Sequence, residues 1–336
     1  MLKSIQSLRG IAAWLVVVHH IHQIMLPSGV GYKYIDSIIL KFASGVDLFF
    51  VISGFIIYNS IIGSSSSAFI FLAKRLWRVV PLYWFYTFVA VMATMLLPGI
   101  VLQPSVEINE VIKSLLFIPY MNTEFGVHLP FLTVGWTLNY EMYFYVASFF
   151  ALLISRKNYL LIISFLIISI SSIIAWVSND ASFYADGVVN EFLIGVFVGW
   201  LYRSGIIKGI NSKLCLWLIL LALCFILASN SYHDYISVGI PCGVIVLCFS
   251  LSEGRLNGRK VVKYLSILGD WSYSTYLSHV LVICIVMRVY EAYSLNIIAC
   301  MIVSVIVTAF VSYYTFNVIE SKRIPYFKKR THHTAK

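Results

Sequence analysis

Charged residues are scarce in this chain, and their scarcity decides its class. Asp, Glu, Lys and Arg make up only 11% of the 336 residues, whereas 60% are hydrophobic, and the mean hydropathy is +0.88. A water-soluble globular domain carries roughly 25% charged residues. The composition therefore excludes a water-soluble globular protein and indicates an integral membrane protein.

The chain also lacks any cysteine pattern typical of metal or redox sites. No C-x-x-C spacing occurs, and every cysteine lies within an apolar run. Cysteines in such runs are usually small apolar packing residues. We therefore predict neither a disulfide nor a metal site from the six cysteines, which are Cys215, Cys224, Cys242, Cys248, Cys284 and Cys300.

Apolar runs of roughly 17–25 residues follow one another along the chain, the length that an α-helix needs to cross a bilayer. They are too long and continuous for alternating barrel strands. The first run is interrupted by histidines and lacks a cleavage site, so we interpret it as a retained helix rather than a signal peptide. The sequence predicts an all-α, polytopic integral membrane protein with about ten transmembrane helices, at 9–26, 46–62, 79–100, 134–154, 159–177, 188–203, 213–228, 235–252, 271–290 and 296–318.

Basic residues outnumber acidic ones by 24 to 14, giving a net charge of +10. With the N-terminus inside, all but four of the basic residues fall on the inner side of the ten predicted helices. Such an asymmetry reports membrane orientation, so we predict that both termini are cytoplasmic and expect no nucleic-acid partner. The basic inner face also suits anionic lipid or an anionic cytosolic ligand. The four outer basic residues are Lys33, Lys41, Lys113 and Arg288.

Neither a repeat nor a change in composition divides the chain. We predict one membrane domain, residues 1–320, followed by a basic cytoplasmic tail, residues 321–336. The longest outer loop is predicted at 101–133 and the longest inner loop at 253–270. Because no extramembrane enzyme domain is evident, any chemistry must belong to the membrane helices, their ends or a partner.

The stretch RGIAAWLVVVHHIH places an arginine and three histidines in the first predicted helix. Eleven residues from Arg9 to His20 turn a helix to within about 20° of three full turns and rise about 16 Å. By the same arithmetic His19 lies about 80° and His22 about 140° from Arg9. This line of polar residues favours a ligand or ion path over a histidine that is hydrogen-bonded within the bundle.

Two further arginines stand at the cytosolic end of the third predicted helix, in KRLWR. Arg75 and Arg78 are three residues apart and therefore share a helix face. They suit either a membrane anchor or a phosphate site, since guanidinium groups bind phosphate in a bidentate manner. Together with Arg9 they predict a phosphate clamp.

Polar residues also line one face of the fourth and ninth predicted helices. In the fourth, Glu141 lies in the outer half of the membrane and needs either a salt bridge to another helix or a wet cavity. In the ninth, with a helix start near Asp270, His279 either lies beside His20 or is satisfied locally. In the second, Asp47 is either a helix cap or functional. The two faces comprise Thr137, Glu141, Tyr145 and Ser148, and Ser272, Thr275, Tyr276 and His279.

In combination these stretches resemble the acyltransferase family 3 membrane proteins, which include bacterial exopolysaccharide, O-antigen and nodulation-factor O-acetyltransferases. The resemblance runs the length of the chain, through SLRGIAAWLVVVHH, GVDLFFVISGF, RLWR, WTLNYEMYFY, GDWSYSTYLSH and FNVIESKRIP. It implies a ten-helix enzyme of the bacterial inner membrane. That enzyme would transfer an acyl group, usually acetyl, from cytosolic acyl-coenzyme A to a hydroxyl of a cell-surface or lipid-linked glycan.

The resemblance places the essential arginine and histidine of the family on Arg9 and His20. We expect His20 to act as the general base or to carry the acyl group, and Glu141 to orient it or to activate the acceptor. We expect Arg9, Arg75 and Arg78 to bind acetyl-coenzyme A, with no metal required. The alternative is a transporter or flippase of lipid-linked oligosaccharide, although we find no inverted repeat of the kind that many transporters have.

Overall fold

A computed structural model describes residues 2–26, 33–103, 105–122, 124–177, 183–207 and 209–321. The predicted tail, from residue 322 onwards, lies outside these ranges. Within them the chain forms thirteen α-helices, named here α1 to α13 in chain order: Lys3–Met25, Lys33–Leu40, Gly45–Ile62, Ala68–Leu96, Ile108–Leu115, Trp136–Ile154, Tyr159–Val177, Asn190–Ser204, Ser212–Ala228, Ile240–Leu251, Glu253–Leu256, Lys260–Tyr293 and Ile297–Thr315.

Each of the ten predicted apolar runs coincides with a helix, so the chain is an all-α membrane protein. Six helical segments are long and apolar enough to cross a bilayer. The other four runs correspond to α1, to the shorter α8 and α9, and to α10 with the π-helical turn Tyr235–Gly239 before it. The six segments are Ile35–Ile62, Ala68–Leu96, Thr133–Ile154, Tyr159–Val177, Lys260–Tyr293 and Ile297–Glu320. The number of membrane crossings and the side of the termini stay predictions.

Two helices begin earlier than predicted because polar residues were taken to end a helix, and the predicted outer loop contains secondary structure. Helix α4 begins at Ala68, so KRLWR lies inside it. The outer segment 101–133 holds helix α5 and two short antiparallel strands, β1 (Met121–Asn122) and β2 (Val127–His128). Helix α12 begins at Lys260, ten residues before Asp270.

The early start of α12 has a packing reason that hydropathy does not report. The hydroxyl of Ser7 donates to the carbonyl oxygen of Val262 at 2.9 Å. A Cβ atom built on Gly269 would lie 1.8 Å from the carbonyl oxygen of Gln6. The polar stretch is therefore helical because α1 packs closely along it. The Asp270 side chain does not cap the helix but accepts a hydrogen bond from Gln6.

The described residues fall into two compact units. The first comprises those within 1–19, 31–71 and 140–270. Its helices α3 and α8 cross closely, since a Cβ atom on Gly54 would lie 2.1 Å from the carbonyl oxygen of Phe192, and one on Gly195 would lie 2.0 Å from that of Val51. Small residues permit such crossings in membranes. The core beside this crossing includes Ile5, Leu8, Ala12, Leu48, Ile52, Phe55, Val198 and Val246.

The second unit comprises the described residues within 20–30, 72–139 and 271–336. Its interior holds large side chains with no solvent exposure, among them Tyr83 and Phe131. The Tyr83 ring packs on Phe117 with ring centroids 4.8 Å apart. Elsewhere, α13 exposes much apolar surface, with Ile298 63% and Phe310 68% accessible. Apolar side chains on the outside of a membrane protein contact lipid, which explains why α13 has more apolar residues than it buries against other helices.

Candidate functional site

The second unit brings two histidines together. Nε2 of His279, on α12, lies 3.2 Å from Nδ1 of His20, on α1. The two rings meet edge to face, with centroids 4.9 Å apart. His279 has no solvent exposure, and its Nδ1 lies 3.1 Å from the carbonyl oxygen of Thr275, one turn earlier on α12. His279 is therefore both beside His20 and satisfied locally, so the two alternatives left open by the sequence are both true.

These contacts fix the tautomers of a neutral pair. A carbonyl oxygen only accepts, so Nδ1 of His279 carries the proton and donates to Thr275. Nε2 of His279 is then unprotonated and accepts from Nδ1–H of His20. In this state the lone pair of His20 lies on its Nε2. The chain from Thr275 through His279 to His20 thus fixes the orientation of the His20 ring, as the buried partner of a catalytic histidine does in known triads.

The polar face of α12 is fixed at two further positions within the same unit. The Tyr276 hydroxyl donates to the carbonyl oxygen of Val134 at 3.0 Å and lies 2.9 Å from the hydroxyl of Thr137. The Ser274 hydroxyl donates to the Glu320 carboxylate at 3.0 Å. These bonds connect α12 to the start of α6 and to the π-helical turn Phe316–Glu320, which follows α13. His279 is consequently held on a helix that has little freedom to rotate.

Glu141, on α6 in the first unit, binds hydroxyl groups. Ser53, on α3, donates to its Oε1 at 3.2 Å, and the Tyr145 hydroxyl donates to the same oxygen. Among the described contacts of Glu141 there is no cation, so the salt-bridge alternative is not supported there.

Arg9, also in the first unit, is only 8% exposed. Its Nη1 donates to Oε1 of Gln6 at 3.3 Å, and Nε2 of Gln6 donates to Oδ1 of Asp270 at 2.6 Å. Gln6 therefore connects the guanidinium group to a carboxylate. The place of Gln6 three residues before Arg9 is readable from the helical repeat, but Asp270, 264 residues from Gln6, carries no sequence signal for this contact.

Arg75 and Arg78 lie on α4, in the second unit, and both are partly buried. They stand inside a 29-residue helix rather than at its start. Asp47 is not a helix cap, because Ser44 precedes the first turn of α3; its side chain binds His233. Within the described ranges, no group of three or more His, Cys, Asp or Glu side chains is arranged to hold a metal ion.

The structure thus combines a helical membrane fold with a hydrogen-bonded pair of histidines, of which His279 is fully buried. The chain belongs to the acyltransferase 3 family, whose model, described as an acyltransferase domain, matches residues 2–315. It is 31% identical over 270 residues to the exopolysaccharide production protein ExoZ of Rhizobium meliloti (strain 1021), covering 79% of this chain and 84% of ExoZ. No solved structure shows significant similarity.

The family match confirms the resemblance drawn from the motifs and makes the protein a membrane-bound acyltransferase enzyme. It does not support the transport alternative. The roles of His20, Glu141, Arg9, Arg75 and Arg78 stay predictions, which the geometry above makes specific.

Proposed function

We propose that this acyltransferase moves an acyl group, acetyl by default, from cytosolic acyl-coenzyme A to a hydroxyl of a cell-surface or lipid-linked glycan, in the bacterial inner membrane. The observation that carries the proposal is the hydrogen-bonded chain Thr275, His279 and His20. This chain of hydrogen bonds supports His20 as the one neutral base. His20 lies on α1, the helix that also carries Arg9. The name of ExoZ, an exopolysaccharide production protein, supports a glycan acceptor.

The chemistry needs one proton carrier. Nε2 of His20 accepts the proton of the sugar hydroxyl while its oxygen attacks the thioester carbonyl carbon. The carbon–sulfur bond then breaks, and the protonated imidazole returns the proton to the leaving thiolate. The products are an O-acyl sugar and free coenzyme A, so no net proton is consumed. During transfer Nδ1–H of His20 keeps its hydrogen bond to His279, which stabilises the imidazolium.

Donor and acceptor binding are assigned to the other predicted residues. Arg9, Arg75 and Arg78 are proposed to bind the phosphates of coenzyme A, because guanidinium groups form the strongest hydrogen bonds to phosphate oxygens. Glu141 is proposed to orient the acceptor hydroxyl, since its carboxylate already accepts hydroxyl hydrogen bonds from Ser53 and Tyr145.

The direct test uses purified protein in nanodiscs with acetyl-coenzyme A that carries a labelled acetyl group. We expect label in the glycan fraction together with release of free coenzyme A. Protein that moves lipid-linked sugar across the bilayer without releasing coenzyme A would contradict the proposal.

The orienting role of His279 predicts an unequal effect of two substitutions. His279→Ala removes the acceptor for Nδ1–H of His20, so turnover should fall by roughly tenfold or more. His279→Gln offers an amide oxygen in its place and should retain more activity than His279→Ala. The KM for acyl-coenzyme A should change little in either variant. Steady-state kinetics at several pH values check this, and equal activity of His279→Ala and wild type would refute it.

The proposed orientation, with ten crossings and both termini inside, is tested by cysteine labelling in a variant without the six native cysteines. A cysteine at Glu124, between β1 and β2, should react with an impermeant thiol reagent in intact cells. A cysteine at Ser65, in the exposed turn between α3 and α4, should react only after the membrane is disrupted. The reverse pattern would overturn the predicted orientation.

A further inference from the structure

Two acidic side chains of the first unit are completely buried and lie against each other. Asp47, in the first turn of α3, and Glu191, in the first turn of α8, both have no solvent exposure. Their side chains are in hydrogen-bonding contact. They stand on the two helices that cross at Gly54 and Gly195. The proposed transfer chemistry uses neither residue.

The hydrogen-bond donors around this pair are too few for two carboxylates. Oδ2 of Asp47 lies 3.0 Å from Nδ1 of His233. Among the described residues no donor reaches Oδ1 of Asp47 or either oxygen of Glu191. Two ionised carboxylates cannot bond to each other because both only accept. A proton on one of them supplies the missing donor, and burying an unpaired charge would otherwise cost several kcal/mol.

The surrounding charges decide which side chain holds that proton. Asp186, Asp234 and Cys242 are the other titratable groups acting on Glu191, and none of them is a cation. Asp47, in contrast, has a histidine partner. Burial lowers the pKa of His233, but its hydrogen bond to Asp47 and the charges of Asp47 and Asp186 raise it, and the net shift is upward. Asp47 thus has a hydrogen-bond donor that stabilises its ionised form, whereas Glu191 has none among the described residues. The proton is therefore assigned to Glu191.

We propose that Glu191 is a buried proton-binding site, a neutral carboxylic acid that donates to Oδ1 of Asp47 while His233 binds Oδ2. The three side chains form a chain that links α8 through α3 to the segment before the π-helical turn Tyr235–Gly239. His233, whose side chain is 29% exposed, is its end towards solvent. The proton holds the first turns of α3 and α8 together and ties that segment to them. This inference does not depend on the proposed substrates or on His20.

Infrared difference spectroscopy tests the assignment directly, because a protonated carboxyl group absorbs at a higher frequency than a carboxylate. Wild type at neutral pH should show such a band, shifted in deuterated water, and Glu191→Gln should lack it. Glu124→Gln, at an exposed position, is the matched control and should keep the band. A band that survives in Glu191→Gln, or that disappears only in Asp47→Asn, would overturn the assignment.

The same proton makes stability depend on pH. The folded state holds a proton on Glu191 that the unfolded chain releases above its ordinary range near pH 4, so folding takes up one proton at neutral pH. The folded-to-unfolded ratio of wild type should therefore fall as pH rises, by up to about tenfold per pH unit more than that of Glu191→Gln. The amide of the variant can still donate to Asp47, and the contact between Asp47 and His233 is unchanged. The variant should therefore fold. Parallel pH profiles for the two proteins would contradict the inference.

Discussion

Replacement of His20 by alanine is expected to lower acyl transfer by roughly 100-fold or more, the usual scale for loss of a general base. The reason is geometric as well as chemical. His279 and Thr275 fix the His20 ring through its Nδ1, and the unprotonated Nε2 of His279 is already used to accept from that Nδ1–H. The measurement is O-acetylation of the surface glycan, read by NMR, in a strain whose own copy is replaced by each variant.

His22 and His19 supply matched controls on the same helix. His22→Ala should do little, since that side chain points about 140° away from Arg9 by the helical repeat, and His19→Ala should be intermediate at most, since it points about 80° away from Arg9. Expression and thermal stability must be compared first, because removing a buried histidine also leaves its partners unsatisfied. Wild-type acetylation with His20→Ala would disprove the catalytic role. Loss of acetylation in His19→Ala alone would assign the catalytic role to His19 instead of His20.

The first helix shows which features of the structure could be predicted from the sequence. Helix α1 runs without interruption from Lys3 to Met25, so the constant turn per residue assumed for Arg9, His19 and His20 applies throughout. Local periodicity is a property of consecutive residues, which the sequence contains in full. The helical class and the ten helical runs were predictable for the same reason, since hydropathy is a sum over neighbours along the chain.

The partners of these residues were not predictable, because they come from distant parts of the chain. His279 is 259 residues from His20, and its own helix repeat is equally compatible with an inward or a locally satisfied side chain. Asp47 in the second predicted helix gave no indication that it binds His233, 186 residues away. A single sequence does not show which distant residues are in contact, so the tertiary structure was needed to choose among the alternatives.

Two boundary errors have a common physical origin. KRLWR and the polar stretch before Asp270 were taken as helix ends because charge lowers local hydropathy. In the structure both are helical, since lysine and arginine are good helix formers. The consequence for function is that Arg75 and Arg78 stand on a continuous helix, where their spacing of three residues keeps both on one face.

Charge reversal at those two arginines is the second large effect that we expect. Arg75→Glu and Arg78→Glu each remove a charge-assisted hydrogen bond to phosphate, worth about 1.5–3 kcal/mol, and place a like charge in its position. The Kd for acyl-coenzyme A should rise by roughly 10- to 100-fold in each variant. Binding is measured by calorimetry with protein in detergent, at fixed ionic strength because the interaction is screened by salt.

The conservative variant Arg78→Lys separates a bidentate phosphate contact from simple attraction. It keeps the positive charge but loses the planar fork, so its affinity for the donor should lie between those of wild type and Arg78→Glu. Lys157→Glu makes the same change of charge at an exposed residue between α6 and α7, predicted to lie on the inner side, and should leave the Kd nearly unchanged. Equal losses in Lys157→Glu and Arg78→Glu would mean that only the net charge of the inner face attracts coenzyme A. If neither arginine variant changes the Kd while both remain folded, these arginines do not bind the donor, and its phosphates must be held elsewhere.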